Sequence, residues 1–234
     1  MTKLETPMNH QKVFAWPSKE LLVAFTRWFL IVFTAYAAVY YPCNSYAAKQ
    51  MDYYHMYASW ELSIPLIPQM IVVYLSYVAI FIVLLFVFKT PDAIKGLAYS
   101  MLVTVVVSGV IFIAFPGHLG YSRPDDVPGY SYLFRLVYSI DHPYNLFPSL
   151  HVSFAYLCVL TMIHQTQQRW FHLALKIWFA VVCTSVILVH QHHLFDIALA
   201  MILSWAVYKK VYLAVVEKQN EKGGIQSNSQ QTIS

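Results

Sequence analysis

Residues 66–88, LIPQMIVVYLSYVAIFIVLLFVF, decide the fold class. The run holds no charged side chain. As a helix rising about 1.5 Å per residue it is long enough to cross a hydrocarbon layer of ~30 Å. Apolar residues fall on every face, so no side is left for water. Five further apolar runs are read as spans, at 21–43, 96–116, 148–164, 171–190 and 194–216; the run at 148–164 is short and opens on a proline and polar residues, so its start is expected inside protein rather than in lipid. The chain of 234 residues is 59% apolar and 11% charged, against roughly 25% charged in soluble domains. That balance excludes a water-soluble globule, and a disordered chain as well. The expectation is an all-α integral membrane protein of six transmembrane helices.

A net charge of +4 does not point to nucleic acid, because Lys and Arg sit at the edges of apolar runs rather than in a patch. The N-tail, the second and fourth connections and the C-terminal end together carry eleven of them. The other connections carry Lys49, Arg123 and Arg135. Positive residues stay cytoplasmic, so both termini are expected there, with the loops 43–65, 117–147 and 190–194 facing outward. Ala35-Tyr36-Ala37 mimics a signal-peptide cleavage site, but the polar residues before the run, Arg27 within it and its continuation beyond read as a retained span. The expected organisation is a cytoplasmic N-tail at 1–20, a membrane domain at 21–217 with its core motifs at 117–196, and a disordered cytoplasmic tail at 218–234. Three cysteines do not make a disulfide framework. The aromatic-rich stretch 40–60 reads as an interfacial belt on a re-entrant or surface-lying helix, with a wall guiding lipid headgroups as the other reading.

In so apolar a chain, ionisable residues at the ends of spans are functional candidates by default. Three groups fall on the outward side: Ser122-Arg123-Pro124, Phe147-Pro148-Ser149-Leu150-His151 and His190-Gln191-His192-His193-Leu194-Phe195-Asp196. Pro148 suits a first helical turn. Ser149 and His151 would then stand at a helix N-terminus, whose amides and dipole favour phosphate. His192 and Asp196 are four apart and share a face if helical. A carboxylate on one imidazole nitrogen leaves the other nucleophilic. A metal held by some of His151, His190, His192, His193 and Asp196 is the competing reading, although three imidazoles in HxHH diverge on a helix.

At these residues the chain resembles the type 2 phosphatidic acid phosphatase superfamily of lipid phosphatases and phosphotransferases. The family pattern KxxxxxxRP, PSxH, SRxxxxxHxxxD is matched by Arg123-Pro124, by Pro148-Ser149-Leu150-His151 and by His192 through Asp196. Pro116 stands where the family has lysine, and Val186 where it has arginine. Those departures, with the FPSLH and QHHxxD spellings, look more like the branch that includes inositol phosphorylceramide synthases. The resemblance implies a six-helix core with an outward-facing site and a membrane lipid as substrate. It assigns His192 as nucleophile, Asp196 as its orienting carboxylate and His151 as acid and base. Arg123 and Ser149 would bind phosphate, with Arg135 a substitute cation suggested by its nearness in sequence. No cofactor, metal or nucleic-acid partner is implied. Water or a lipid alcohol as acceptor stays open, as do a transporter or flippase and an inactive scaffold. The chain has no Asn-x-Ser/Thr glycan acceptor, which leans toward a bacterial inner membrane with the site facing the periplasm or exterior.

Overall fold

The computed structural model describes residues 13–124 and 126–218. Among them there is no strand, only an isolated bridge between Tyr54 and Gly117. The helices are α1 (Lys19–Ala47), α2 (Met70–Leu75), α3 (Ala79–Val87), α4 (Pro91–Ala114), α5 (Ser131–Ile140), α6 (Leu150–Gln165), α7 (Arg169–Leu188) and α8 (Leu194–Val207). A 3₁₀ turn at Ser76–Val78 joins α2 to α3, and a π-helical turn at Tyr208–Tyr212 carries α8 on to Lys218.

The starts of α1 and α4 carry the polar side chains that free backbone amides require. Ser18 accepts from Leu21 N at 3.2 Å, and Thr90, with Pro91 after it, accepts from Ala93 N at 3.3 Å. Five rods are long and apolar enough to cross a membrane: Lys19–Ala47, Met70–Val87, Pro91–Ala114, Arg169–Leu188 and Leu194–Lys218. The sixth run is helical but shorter, Leu150–Gln165, 16 residues, which is about 24 Å of rise. Pro148 and Ser149 precede that helix rather than opening it. Ser149 is the cap, because its side chain is needed as the acceptor for Val152 N at 3.3 Å.

At the centre, α4 packs against α1, α6 and α8. Small residues let backbones approach closely. A Cβ at Gly109 would lie 2.4 Å from Val39 Cγ1, so glycine is what allows α1 to lie against α4 there. Ser204 Oγ on α8 donates to Ser153 O on α6 at 3.2 Å. All three cysteines are free.

Two features depart from expectation. The stretch 40–60 is neither re-entrant nor a surface-lying helix. α1 runs through to Ala47, and the rest is loop plus a 3₁₀ turn at Ser59–Ser63 that folds over one end of the bundle. Tyr53 stacks on Tyr144, Tyr54 meets Phe115 edge-on, and Tyr57 stacks on His193. Helix α5 is an additional amphipathic element, too short and too polar to register as an apolar run. Of the expected tails at 1–20 and 218–234, residues 1–12 and 219–234 lie outside the described residues.

Candidate active site

The ends of α1, α4 and α7 and the starts of α2, α6 and α8 converge at one end of the bundle, and the three polar groups of the sequence meet there. Helix α7 closes in a Schellman motif. His190 N donates to Ile187 O and Gln191 N to Val186 O, each at 2.9 Å. His190 takes the left-handed position, φ 56°. Its ring is held flat on Tyr121 at 4.1 Å, and its Nε2 donates to Ile64 O at 2.9 Å. His192 N also donates to Val186 O, at 3.2 Å. The residue standing in place of the family arginine therefore fixes the loop through its carbonyl, while its side chain is buried in the apolar core.

His192 does not lie on a helix with Asp196. It precedes the His193 cap, and Asp196 occupies the first turn of α8. The pair forms because a carboxylate in that turn reaches back toward the cap. Asp196 Oδ2 accepts from His193 N at 2.8 Å and from His192 Nδ1 at 3.2 Å. A carboxylate only accepts, so the His192 proton resides on Nδ1 and Nε2 carries the free pair. His192 is 3% exposed, and Nε2 is buried without a hydrogen-bond partner. A buried unpaired acceptor costs about 1–3 kcal/mol, so this nitrogen is left open to a partner from outside the chain.

His151 faces it, with ring centroids 6.0 Å apart. Its Nε2 is 3.1 Å from the Tyr74 hydroxyl, and its Nδ1 is 3.8 Å from Asp141 Oδ2. Asp141 also accepts from the Tyr40 hydroxyl. Arg123 Nη1 donates to Asp141 O at 2.5 Å, and Nη2 to Gln191 Oε1 at 3.2 Å. The guanidinium thus ties the loop before α6 to the loop before α8, stacked over Tyr138 at 4.9 Å. Its Nε is buried without a partner, so donor capacity remains for an anion.

Ser149 is fully buried. Its amide donates to Asp196 O at 3.3 Å, which docks the start of α6 on the start of α8. Arg135 is not brought in. It lies on the exposed face of α5, and the site residues take no hydrogen bond or ion pair from it among the described residues. Pro116, at the family's lysine position, accepts from Tyr54 N at 2.9 Å.

His193 is turned away from His192. Its ring is sandwiched between Tyr57 at 4.3 Å and Tyr121 at 4.5 Å. Nε2 accepts from Gly120 N at 3.2 Å, and Nδ1 is 3.5 Å from Glu61 Oε2. Burial holds this imidazole below its ordinary value and pushes the Tyr121 phenol up to about 12. Both rings are therefore neutral near pH 7, as a stacked column between loops requires. Glu61 anchors that column, accepting from Leu194 N at 2.9 Å and Ala58 N at 2.8 Å.

Asp141, Tyr74 and Glu61 were missed by the sequence reading, whereas Tyr40 and Tyr57 entered it only as members of the aromatic stretch 40–60. Asp141 and Glu61 carried a usable signal, as acids close to apolar runs, where burial demands a partner. The metal candidates separate as well. His190 and His193 serve the aromatic column, whereas Asp141, His151 and His192 place ligand atoms within 4.8 Å of one another.

Among curated proteins and among solved structures nothing matches the chain. A family model described as the PAP2 superfamily matches residues 93–220, from the start of α4 past the end of α8. That span holds all three polar groups and more than half of the sequence, and the chain belongs to the PAP2 superfamily.

Proposed function

We propose that this protein is a membrane-embedded lipid phosphatase or phosphotransferase that works through a phosphohistidine at His192. Members of the superfamily are phosphatases and phosphotransferases, so phosphoryl chemistry is the coarse activity. The carrying observation is the buried, unpartnered Nε2 of His192, backed by Asp196 and facing His151. His192 attacks phosphorus, and Asp196 stabilises the imidazolium that forms. His151 protonates the leaving oxygen, then deprotonates the incoming hydroxyl. Arg123, Ser149 and the first-turn amides of α6 hold the phosphoryl oxygens.

Six crossings, cytoplasmic termini and a site facing the periplasm or exterior belong to the same proposal. It rests on the charge asymmetry of the loops and on the helical character of all six apolar runs. The inositol phosphorylceramide synthase-like branch is favoured because a buried Val186 and a loop-binding Pro116 leave two family cations absent. Fewer cations suit a diester monoanion better than a monoester dianion.

The test is lipid mass spectrometry after incubating purified protein with a mixed membrane-lipid extract in EDTA, wild type against His192→Ala. Loss of phosphate from one lipid, with wild type only, establishes the phosphatase. A new headgroup-bearing lipid matched by a depleted donor establishes the transferase. A second reading is favoured by the Asp141–His151–His192 group, which has the donor set of an open transition-metal site. Activity abolished by EDTA and restored by Zn²⁺ would replace the phosphohistidine reading with that one.

Arginine roles separate in kinetics. Arg123→Ala is expected to lower kcat/KM about 10- to 100-fold, the scale of one charged hydrogen bond at ~1.5–3 kcal/mol. Arg135→Ala should stay within about twofold, as exposed substitutions do. The reverse pattern would move the phosphate cation to Arg135.

A further inference from the structure

At the end of the bundle opposite the candidate active site, the first turns of α1 and α4 enclose a cavity of about 620 Å³. The two helices run side by side in the same direction, since Trp28 meets Tyr99 edge-on at 5.2 Å and Val39 lies against Gly109. Charges on the cavity walls are sorted by level. Lys19, Glu20 and Asp92 stand at the mouth, in the first turns of their helices, one cation against two carboxylates. Arg27 and Lys95 stand further in, with no carboxylate at their level. Arg27 is about 12 Å along α1 from Lys19. Each of these inner cations lies over a ring, Arg27 over Trp28 at 5.6 Å and Lys95 over Tyr99 at 5.7 Å. Among the described residues every ion pair involves a histidine, so the carboxylates of the cavity do not neutralise Arg27 or Lys95. The bias of cations toward one side of a membrane accounts for lysines at helix ends. It does not account for an arginine two turns inside a span, where a charge is costly without a counter-charge.

We propose that this cavity binds the headgroup of a zwitterionic phospholipid with a primary ammonium, drawn from the leaflet away from the active site. Such a headgroup carries its ammonium toward water and its phosphate nearer the glycerol. The cavity has the matching order, with Glu20 and Asp92 at the mouth for the ammonium and Arg27 and Lys95 below for the phosphate. A guanidinium suits the phosphate because its planar fork donates to two oxygens at once. Trp28 and Tyr99 bring the amphipathic rings that settle at headgroup level. An anionic headgroup without an amine would leave the two carboxylates facing negative charge, and a trimethylated amine would offer them no N–H. The site stands apart from phosphoryl transfer, since α4 spans about 36 Å between the two ends of the bundle. It rests on placing these helices in a bilayer and not on the chemistry at His192.

The experiment uses the purified full chain in dodecyl maltoside, with dioctanoyl phosphatidylethanolamine carrying a diazirine near the start of one acyl chain. Light is expected to label peptides covering 19–28 and 91–99. Unlabelled dioctanoyl phosphatidylethanolamine should displace that label about tenfold better than the phosphatidylcholine or phosphatidylglycerol of the same chain length, the scale of one charged hydrogen bond. Arg27→Gln combined with Lys95→Gln should cut the label about tenfold for the same reason. Glu20→Gln combined with Asp92→Asn should turn the preference toward phosphatidylglycerol. All four side chains are exposed or half-buried, and circular dichroism with thermal melting checks that the variants fold. The comparison of three headgroups on wild type needs no variant. Label confined to other peptides, equal displacement by the three lipids, or label unmoved by the Arg27 and Lys95 pair would overturn the site. Displacement by soluble phosphoethanolamine at the same concentration would overturn a lipid as the source of the headgroup. A chain that stays monodisperse after detergent removal would overturn the bilayer placement, and with it the leaflet assignment.

Discussion

His192→Ala is expected to abolish turnover and to leave no covalent phosphoenzyme. Loss of a nucleophile acts on the scale of ~10⁶ in kcat, beyond what neighbouring groups restore. The Nδ1 bond to Asp196 and the empty, buried Nε2 aim one nitrogen at the space before His151. Nothing else in the loop can substitute. His193 points into the Tyr57–Tyr121 sandwich, and His190 is fixed to Tyr121 and Ile64 O. Activity loss alone does not separate nucleophile from metal ligand, since His192 belongs to the group that could hold an ion. The decisive measurement is a quench of wild type in alkaline detergent with ³²P-labelled substrate in EDTA, followed by peptide mapping at alkaline pH. An acid-labile, base-stable label on the peptide containing His192 is expected, and it should persist in His193→Ala. Label on any other residue, or none while product forms, would sink the nucleophile assignment.

Helices were legible because apolar length is a local property. Residues 66–88 carry no charge, and the rod Met70–Val87 followed within a few residues of those bounds. Helix α5 was not legible, since its apolar residues form one stripe around Phe134 and Val137 rather than a run. The His192–Asp196 contact was legible from spacing, yet for a different geometric reason. Four residues place the groups together both on a helix face and across a helix cap, and the sequence does not separate the two. Asp141 was overlooked because its value lies in partners from Tyr40 and His151, one of them a hundred residues away in the chain. Glu61 was overlooked for the same reason, as its acceptors are spent on Leu194 and Ala58 and its partner is His193. Motif residues announce themselves by type and spacing, whereas the residues that hold them still are specified by packing between elements distant in sequence.

His151→Ala is expected to slow turnover by about 10²–10⁴, the contribution of a positioned general acid. How the loss depends on the leaving group distinguishes this role from a structural one. An alkoxide departs poorly without a proton, so lipid and alkyl esters should show the full deficit. A 4-nitrophenyl ester departs without help, so formation of the phosphoenzyme should be nearly normal there. The deficit then moves to the second step, in which His151 must take a proton from water or a hydroxyl, and a burst of nitrophenol should precede slow turnover. Asp141→Asn should give a weaker version of the same pattern, because the carboxylate lies 3.8 Å from Nδ1 and is also braced by Tyr40 and, through its backbone, by Arg123. An equal loss with both leaving groups in His151→Ala would instead mean that the imidazole shapes the pocket, or binds an ion, without moving a proton. The geometry argues for proton transfer. His151 stands opposite His192, with ring centroids 6.0 Å apart, the arrangement that the proposed in-line displacement needs.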